Sequence, residues 1–188
     1  MREINLKTSK WYYVLLPMRS YIITCIDKAG KMNAITLDYV FPASSKPPRL
    51  MIGIRPDNYS HSLIKETKEF VVNTPTLKLV KEIEFCGRRS GRNVDKFKET
   101  GLTPLPARLV RPPIIKECVS WVECKVTGQI DFENRTMFLG EVVAAYAKKE
   151  IYREEMYDVG KAKFVYHVGK NRYAILSDET IQPQLEDI

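Results

Sequence analysis

Between Ser120 and Phe132 the residues SWVECKVTGQIDF alternate in character with a period of two. Val122, Cys124, Val126, Ile130 and Phe132 fall on one side, and Glu123, Lys125, Thr127, Gln129 and Asp131 on the other, which predicts an extended strand with one apolar and one wet face. ENRT (133–136) turns the chain, and MFLGEVVAAYA (137–147) returns as a run apolar on both sides. That run predicts burial by core on one face and by a helix or a second subunit on the other. Two long strands in succession commit the chain to antiparallel sheet, and the other segments must be arranged around them.

The rest of the sequence supplies partners for this sheet. YIITCIDK (21–28), a turn at Ala29 and Gly30, and MNAITLDYV (32–40) read as a hairpin. RLMIGIRP (49–56) reads as a third strand stopped by Pro56, and EFVVNTP (69–75) as a fourth. Asn58, Ser60 or Ser62 can cap a short helix between them. LKLVKEIEFCG (77–87) has apolar residues near helical spacing and predicts a helix terminated by Gly87, and VDKFKETG predicts another ending at Gly101. Six or so antiparallel strands interrupted by short helices give a mainly β fold, a small barrel with helical insertions, in one domain of 188 residues.

Composition narrows the function classes. With 44% hydrophobic and 28% charged residues the chain has the make-up of an ordinary globular protein. The N-terminal stretch lacks a signal-peptide core, and no segment approaches about 18 consecutive apolar residues, so the expected location is the cytoplasm with no membrane partner. Cys25, Cys86, Cys118 and Cys124 form no C-x-x-C pair and lie in apolar segments, which predicts buried free thiols and no metal site. The formal charge of +7 calls for an anionic partner. Nucleic acid is disfavoured, because the aromatic residues are not interleaved with the basic clusters as a stacking platform requires.

Catalytic side chains are scarce. His61 and His167 are the two histidines, and neither lies in a nucleophile or zinc motif. Phosphate loops of the nucleotide-triphosphate and dinucleotide-binding types are absent from the sequence, so an anion must be held by other means. Two clusters qualify. In the first, Arg55, Asp57, Asn58, Tyr59, Ser60 and His61 join a strand end to a helix start, where backbone N–H groups, hydroxyls and a guanidinium converge. The second is a basic loop, CGRRSGRNVDKF, carrying Arg88, Arg89, Ser90, Gly91, Arg92 and Lys96. A third stretch, GKMNAITLDYVFPASSKPPRLMIGI (30–54), has small residues and Asn, Thr and Ser groups suited to the edge of a flat heteroaromatic ring, although spacing alone favours an irregular edge strand ended by Pro47 and Pro48.

The order of these motifs resembles a known family. D-x-x-G-x-x-N-A (27–34), a Ser-rich stretch reaching P-P (44–48), I-G-I-R, S-x-x-L-I-x-E-T-x-E-F-V-V-N (60–73) and C-G-x-x-S-G-R-x-x-D-K-F (86–97) follow the flavin reductase-like family with the FMN-binding split barrel, particularly its flavoredoxin-type and archaeal members. The resemblance covers about residues 14–175 and leaves 176–188 as a C-terminal tail. It implies a homodimeric, six-stranded, antiparallel Greek-key split barrel holding one FMN per subunit near the dimer interface. Asn33, Ala34, Ile35 and Thr36, with Ser44 and Ser45, match the segment along the ring and ribityl chain. Arg55 and Asn58, Tyr59, Ser60 and His61 match the segment around the phosphate. Ser90, Gly91, Arg92 and Lys96 match the loop that closes over the cofactor. Many relatives carry an aromatic residue shortly after the N-A pair; here Thr36, Leu37, Asp38 and Tyr39 follow.

The implied function is an FMN-dependent oxidoreductase passing hydride from NADH or NADPH to flavin and on to an acceptor, which is a small molecule or a protein. Flavin accepts hydride itself, so no catalytic side chain is required, in accord with the sparse inventory. The alternative is a flavoredoxin-like electron carrier with no NAD(P)H site.

Overall fold

A computed structural model of the chain describes residues 7–180, and the tail residues 181–188 lie outside the described part. After a 3-10 turn at Thr8–Leu15, seven strands build the main sheet: β1 (Tyr21–Ile26), β2 (Met32–Leu37), β3 (Val40–Ser45), β4 (Pro48–Ile54), β5 (Glu69–Thr74), β6 (Ser120–Phe132) and β7 (Arg135–Ala147). Their order in space is β2-β1-β5-β6-β7-β4-β3, with every pairing antiparallel. Three helices, α1 (Tyr59–Thr67), α2 (Val80–Arg88) and α3 (Lys96–Thr100), lie between the strands. A small second sheet pairs Val165–Gly169 with Arg172–Ile175 and with Met18–Arg19.

The long hairpin forms as its sequence requires, with Glu133 and Asn134 between β6 and β7. The strand expected over 32–40 does not run through. Val40 N–H donates to Asp38 C=O across a three-residue turn, and the Asp38 carboxylate is occupied by Ser20 and His167. Backbone groups spent in so tight a turn cannot continue a ladder, so the chain leaves one sheet edge as β2 and enters the opposite edge as β3. The sheet therefore has seven strands where six were expected, and among the described residues β2 and β3 share no ladder along this seam.

Side chains leave β1 alternately into two cores. Ile22 joins Val71, Ile83, Cys86, Phe97 and Trp121 beneath α2 and α3, while Ile23 and Cys25 join Ile52, Leu63, Ile64, Phe70 and Phe138 on the face covered by α1. A strand wet on neither side reads as an unbroken apolar run, which is why YIITCI and FVV show no alternation. Phe70 and Phe138 are fully buried, and each such side chain contributes about 1.5–3 kcal/mol by leaving water. Gly140 faces Phe70 on this side: a Cβ there would meet the ring at 2.7 Å.

Two expectations about the long hairpin fail. Glu123, assigned to the wet face, is 0% exposed. The loop 106–113 folds over it, and its carboxylate accepts from Arg108 N–H (2.8 Å), Leu109 N–H (2.6 Å) and the Tyr146 hydroxyl (2.7 Å). Ile130 and Phe132, assigned to the apolar face, are more than half exposed because the hairpin tip projects past the core. Within one chain the returning strand is covered on one side: Phe138 and Gly140 are buried, whereas Val142, Val143 and Ala144 are half-buried and Ala145 is exposed.

The short helices are also adjusted. Gly87 does not terminate α2, which continues to Arg88; Gly87 instead lies close to Thr36, where a Cβ would sit 3.4 Å from the Thr36 Cβ. Asp95 caps α3 by accepting from Lys98 N–H, and Gly101 ends it in the left-handed region at φ 70°, as the sequence predicts.

Candidate functional site

Lys96 is the first residue of α3, and the capping Asp95 turns it inward until only 4% of it remains exposed. Its ammonium donates to Ala34 C=O (2.7 Å) and Cys86 C=O (2.8 Å), tying β2 to the last turn of α2. An ammonium carries three hydrogens, so a third remains for a further acceptor. Burial pushes the Lys96 pKa down, and an anion placed against it would oppose that shift.

Asn33 lies beside this lysine, 3% exposed. Its amide donates to Ser60 Oγ at 2.8 Å, while its Oδ1 is buried without a partner. The turn at 90–94 lies against it, held by Asn93 N–H and Val94 N–H donating to Ser90 C=O. Only glycine fits at 91: an added Cβ would lie 2.0 Å from Asn33 Oδ1 and 3.2 Å from the Tyr59 ring. The basic loop of the sequence is therefore a fitted wall of the site.

These groups enclose a polar cavity of about 130 Å3, walled by Asn33, Ser60, Arg89, Ser90, Gly91 and Lys96. The start of α1 opens into it through Asn58, Tyr59 and Ser60, adding unpaired N–H groups and the positive end of a helix. A small enclosed space with an ammonium, a guanidinium, hydroxyls and a helix start has the chemistry of a phosphate receptor.

A larger groove of about 410 Å3 adjoins it, with Ile35, Asp57, Asn58 and Gly87 lining both spaces. Thr36, Leu37, Asp38, Tyr39, Arg55 and Arg135 form its remaining walls. Thr36 Oγ1 donates to Ile83 C=O, so its lone pairs but not its hydrogen face a ligand. Arg135 stacks on Tyr39 at 4.0 Å and donates to Gly53 C=O, which holds the aromatic ring in place. At the rim, Arg55 forms a two-pronged pair with Asp57 (3.2 and 3.1 Å), and Arg92 donates to Asp57 C=O and lies over the Tyr59 ring. A flat ring in the groove, attached to a phosphate in the cavity, matches the two spaces in size and polarity.

Most residues expected at the site are brought together. Asn33, Ile35, Asn58, Tyr59, Ser60, Ser90, Gly91 and Lys96 line the cavity, Thr36 and Arg55 the groove, and Arg92 the rim. Ala34 contributes its carbonyl to Lys96 while its methyl enters the core. His61 departs from the expected role. Its side chain points into the sheet interior, where Nε2 contacts Thr136 Oγ1 at 2.9 Å and the ring packs on Phe138. Thr136 gives its own hydrogen to Asp131, so His61 is the donor from Nε2, and burial lowers its pKa. Ser44 and Ser45 lie on the exposed β3, and within one chain they stand apart from the cavity; Ser44 lines a separate apolar groove with Arg19, Tyr21, Phe41 and Val142.

The structure adds residues that sequence reasoning missed. Gly87 lines both spaces, as does Asp57 of the first cluster, and Tyr39 and Arg135 close the groove. Arg135 gave no signal because it arrives from β7, far away in the chain. Tyr39 had one, as the aromatic residue nearest after the N-A pair. His167 was not placed by sequence; its Nδ1 lies 2.9 Å from Asp38 Oδ2, joining the small sheet to the end of the groove.

The fold and the cavity together define a mainly β protein with a small cationic cavity opening onto a larger groove. The model of the flavin reductase like domain matches residues 13–170, and the chain belongs to that family. A relative from Archaeoglobus fulgidus with no assigned function is 35% identical over 90% of this chain and 94% of its own. From the same organism, a ferric-chelate reductase (NAD(P)H) is 29% identical, over 69% of this chain and 76% of its own. Among solved structures, flavoredoxin from Methanosarcina acetivorans superposes with a TM-score of 0.85 at 27% identity, covering 97% of this chain and 95% of that one.

Proposed function

We propose that the protein is an FMN-dependent NAD(P)H oxidoreductase. The observation that carries this reading is the buried Lys96 ammonium, with two of its three hydrogens used, beside the Ser60 hydroxyl and under a wall that only Gly91 can form. This cradle suits an FMN phosphate: Lys96 Nζ, Ser60 Oγ and the N–H groups at the start of α1 bind it, and Ser90 and Arg89 close over it. Ile35, Thr36 and Tyr39 offer the walls for the ring.

When bound, FMN supplies the acceptor for hydride and the donor for the next electron carrier. The residues around it bind and orient. Asn58 and Thr36 present polar groups beside the groove, and Arg135 places positive charge at its margin, where it stabilises negative charge that develops in the groove during reduction. Among the described residues, neither histidine lines the cavity or the groove, so proton exchange falls to solvent reaching the open groove.

A homodimer is part of the same proposal. The apolar groove of about 360 Å3 bearing Phe41, Ser44 and Val142 and the half-covered face of β7 offer the surface that a second copy would bury. Such packing would explain why MFLGEVVAAYA is apolar on both sides. The ferric-chelate reductase relative supports ferric iron as one acceptor to test. Anaerobic stopped-flow mixing of the FMN-loaded protein with NADH and with NADPH tests the enzyme against the carrier. Rapid bleaching by either nucleotide supports the enzyme, and bleaching no faster than that of free FMN leaves the carrier.

A further inference from the structure

The turn that ends β2 leaves the Asp38 carboxylate at the ring groove, apart from the residues that wall the Lys96 cavity. It is held from behind. Ser20 Oγ donates to Oδ1 at 2.6 Å and His167 Nδ1 donates to Oδ2 at 2.9 Å, since a carboxylate can only accept. The histidine is fixed in turn: its Nε2 lies 2.9 Å from Lys170 C=O, and its ring packs on Tyr173, whose hydroxyl is anchored on Glu84. Among the described residues no lysine or arginine pairs with Asp38.

An ionised carboxylate offers about four lone-pair positions, and Ser20 and His167 take two. With 22% of the side chain exposed, the rest of that capacity is open to a ligand in the groove. The neighbouring polar groups are committed elsewhere. Thr36 spends its hydrogen on Ile83 C=O, Asp57 is answered by Arg55, and Arg135 donates to Gly53 C=O. Asn33, at the cavity, precedes Asp38 along β2 by roughly 16 Å of strand. A molecule anchored by its phosphate beside Asn33 therefore turns its opposite end toward Asp38.

We propose that Asp38 accepts the imide N–H of the flavin, the ring N–H between its two carbonyls, and that His167 is a positioning residue that sets the flavin's reduction potential through Asp38. This rests on the reading of the Lys96 cavity as the receptor for a flavin phosphate. Reduction adds negative charge to the ring, which Arg135 favours and a carboxylate beside the imide opposes. The donors behind Asp38 draw part of its charge away from the groove, so removing the His167 donor makes a bound flavin harder to reduce.

The test compares FMN with 3-methyl-FMN, in which a methyl group replaces the imide hydrogen, by titration of the flavin-free protein. The wild type is expected to bind 3-methyl-FMN about tenfold or more weakly, the loss of one charge-assisted contact. Asp38→Ala is expected to bind the two flavins nearly equally. Potentials of the FMN-loaded proteins are then measured against a reference dye. Asp38→Asn should shift the potential upward, His167→Ala downward, and His167→Asn, which keeps a donor near the Nδ1 position, back toward the wild type. Equal binding of both flavins by the wild type, or discrimination that persists in Asp38→Ala, overturns the Asp38 contact and leaves the phosphate reading standing. An unchanged potential in His167→Ala overturns the positioning role, because a merely structural pair would change stability alone. Failure of the wild type to bind either flavin removes the flavin reading beneath both.

Discussion

Replacing Gly91 by alanine probes the cradle at its tightest point. The new Cβ would lie 2.0 Å from Asn33 Oδ1, 2.8 Å from its Cγ and 3.2 Å from Tyr59 Cδ1. Asn33 has nowhere to retreat, since it is 3% exposed and bonded to Ser60. If Asn33 rotates, it gives up that bond, a loss of about 1 kcal/mol, and overpacking adds about 1–3 kcal/mol, for a stability decrease of about 2–4 kcal/mol. If the 90–94 turn lifts instead, stability changes less but the wall leaves the cavity. Both routes lower FMN affinity, by about 10- to 100-fold if one charge-assisted contact is lost with the wall. Urea unfolding of the flavin-free protein gives the first quantity and quenching of FMN fluorescence the second. Wild-type values for both would refute the assignment of Gly91 as a fitted wall.

Other perturbations follow from the same contacts. Glu123→Ala strands two N–H donors and the Tyr146 hydroxyl against a buried strand and should cost about 3–5 kcal/mol in urea unfolding. For His61, burial is the main cause of a lowered pKa, Lys65 adds to it and Asp131 opposes it. The unfolded chain therefore takes up the proton first, so this contribution to stability is full above about pH 6.5 and is lost as pH falls below it. Urea midpoints measured from pH 7.5 down to pH 5 should show a slope that His61→Asn reduces. Burial pushes the Cys25 and Cys86 thiols up to about 12 and about 11. All four cysteines are free and buried, so none should react with a disulfide reagent in native protein and all four should react in urea.

How much could be read from the sequence follows from the range of the forces involved. The two hairpins were legible because the alternation in β6 and the turn residues are local signals, and so was the stop at Gly101. The clustering of Asn33, Ser60, Gly91 and Lys96 was legible only through motif order, because these residues come from four segments that meet by tertiary packing. Three features were hidden for the same reason. Glu123 looked like a surface residue because its donors lie in the 106–113 loop. His61 looked like a ligand because its partner, Thr136, lies 75 residues away. The break at Asp38 was invisible because the groups that hold it, Ser20 and His167, arrive from other strands. Exposed Ile130 and Phe132 show the converse, where a regular pattern outlasts the core it was expected to cover.

The central claim is that the Lys96 cavity receives the phosphate of a flavin. Parallel titration of the flavin-free protein with FMN and with riboflavin, which has the same ring and no phosphate, measures this directly. The account predicts one FMN per chain, bound about 100-fold or more tighter than riboflavin, because the phosphate makes at least two charge-assisted contacts worth about 1.5 kcal/mol each. Equal affinity for the two, or no binding of either, would contradict it.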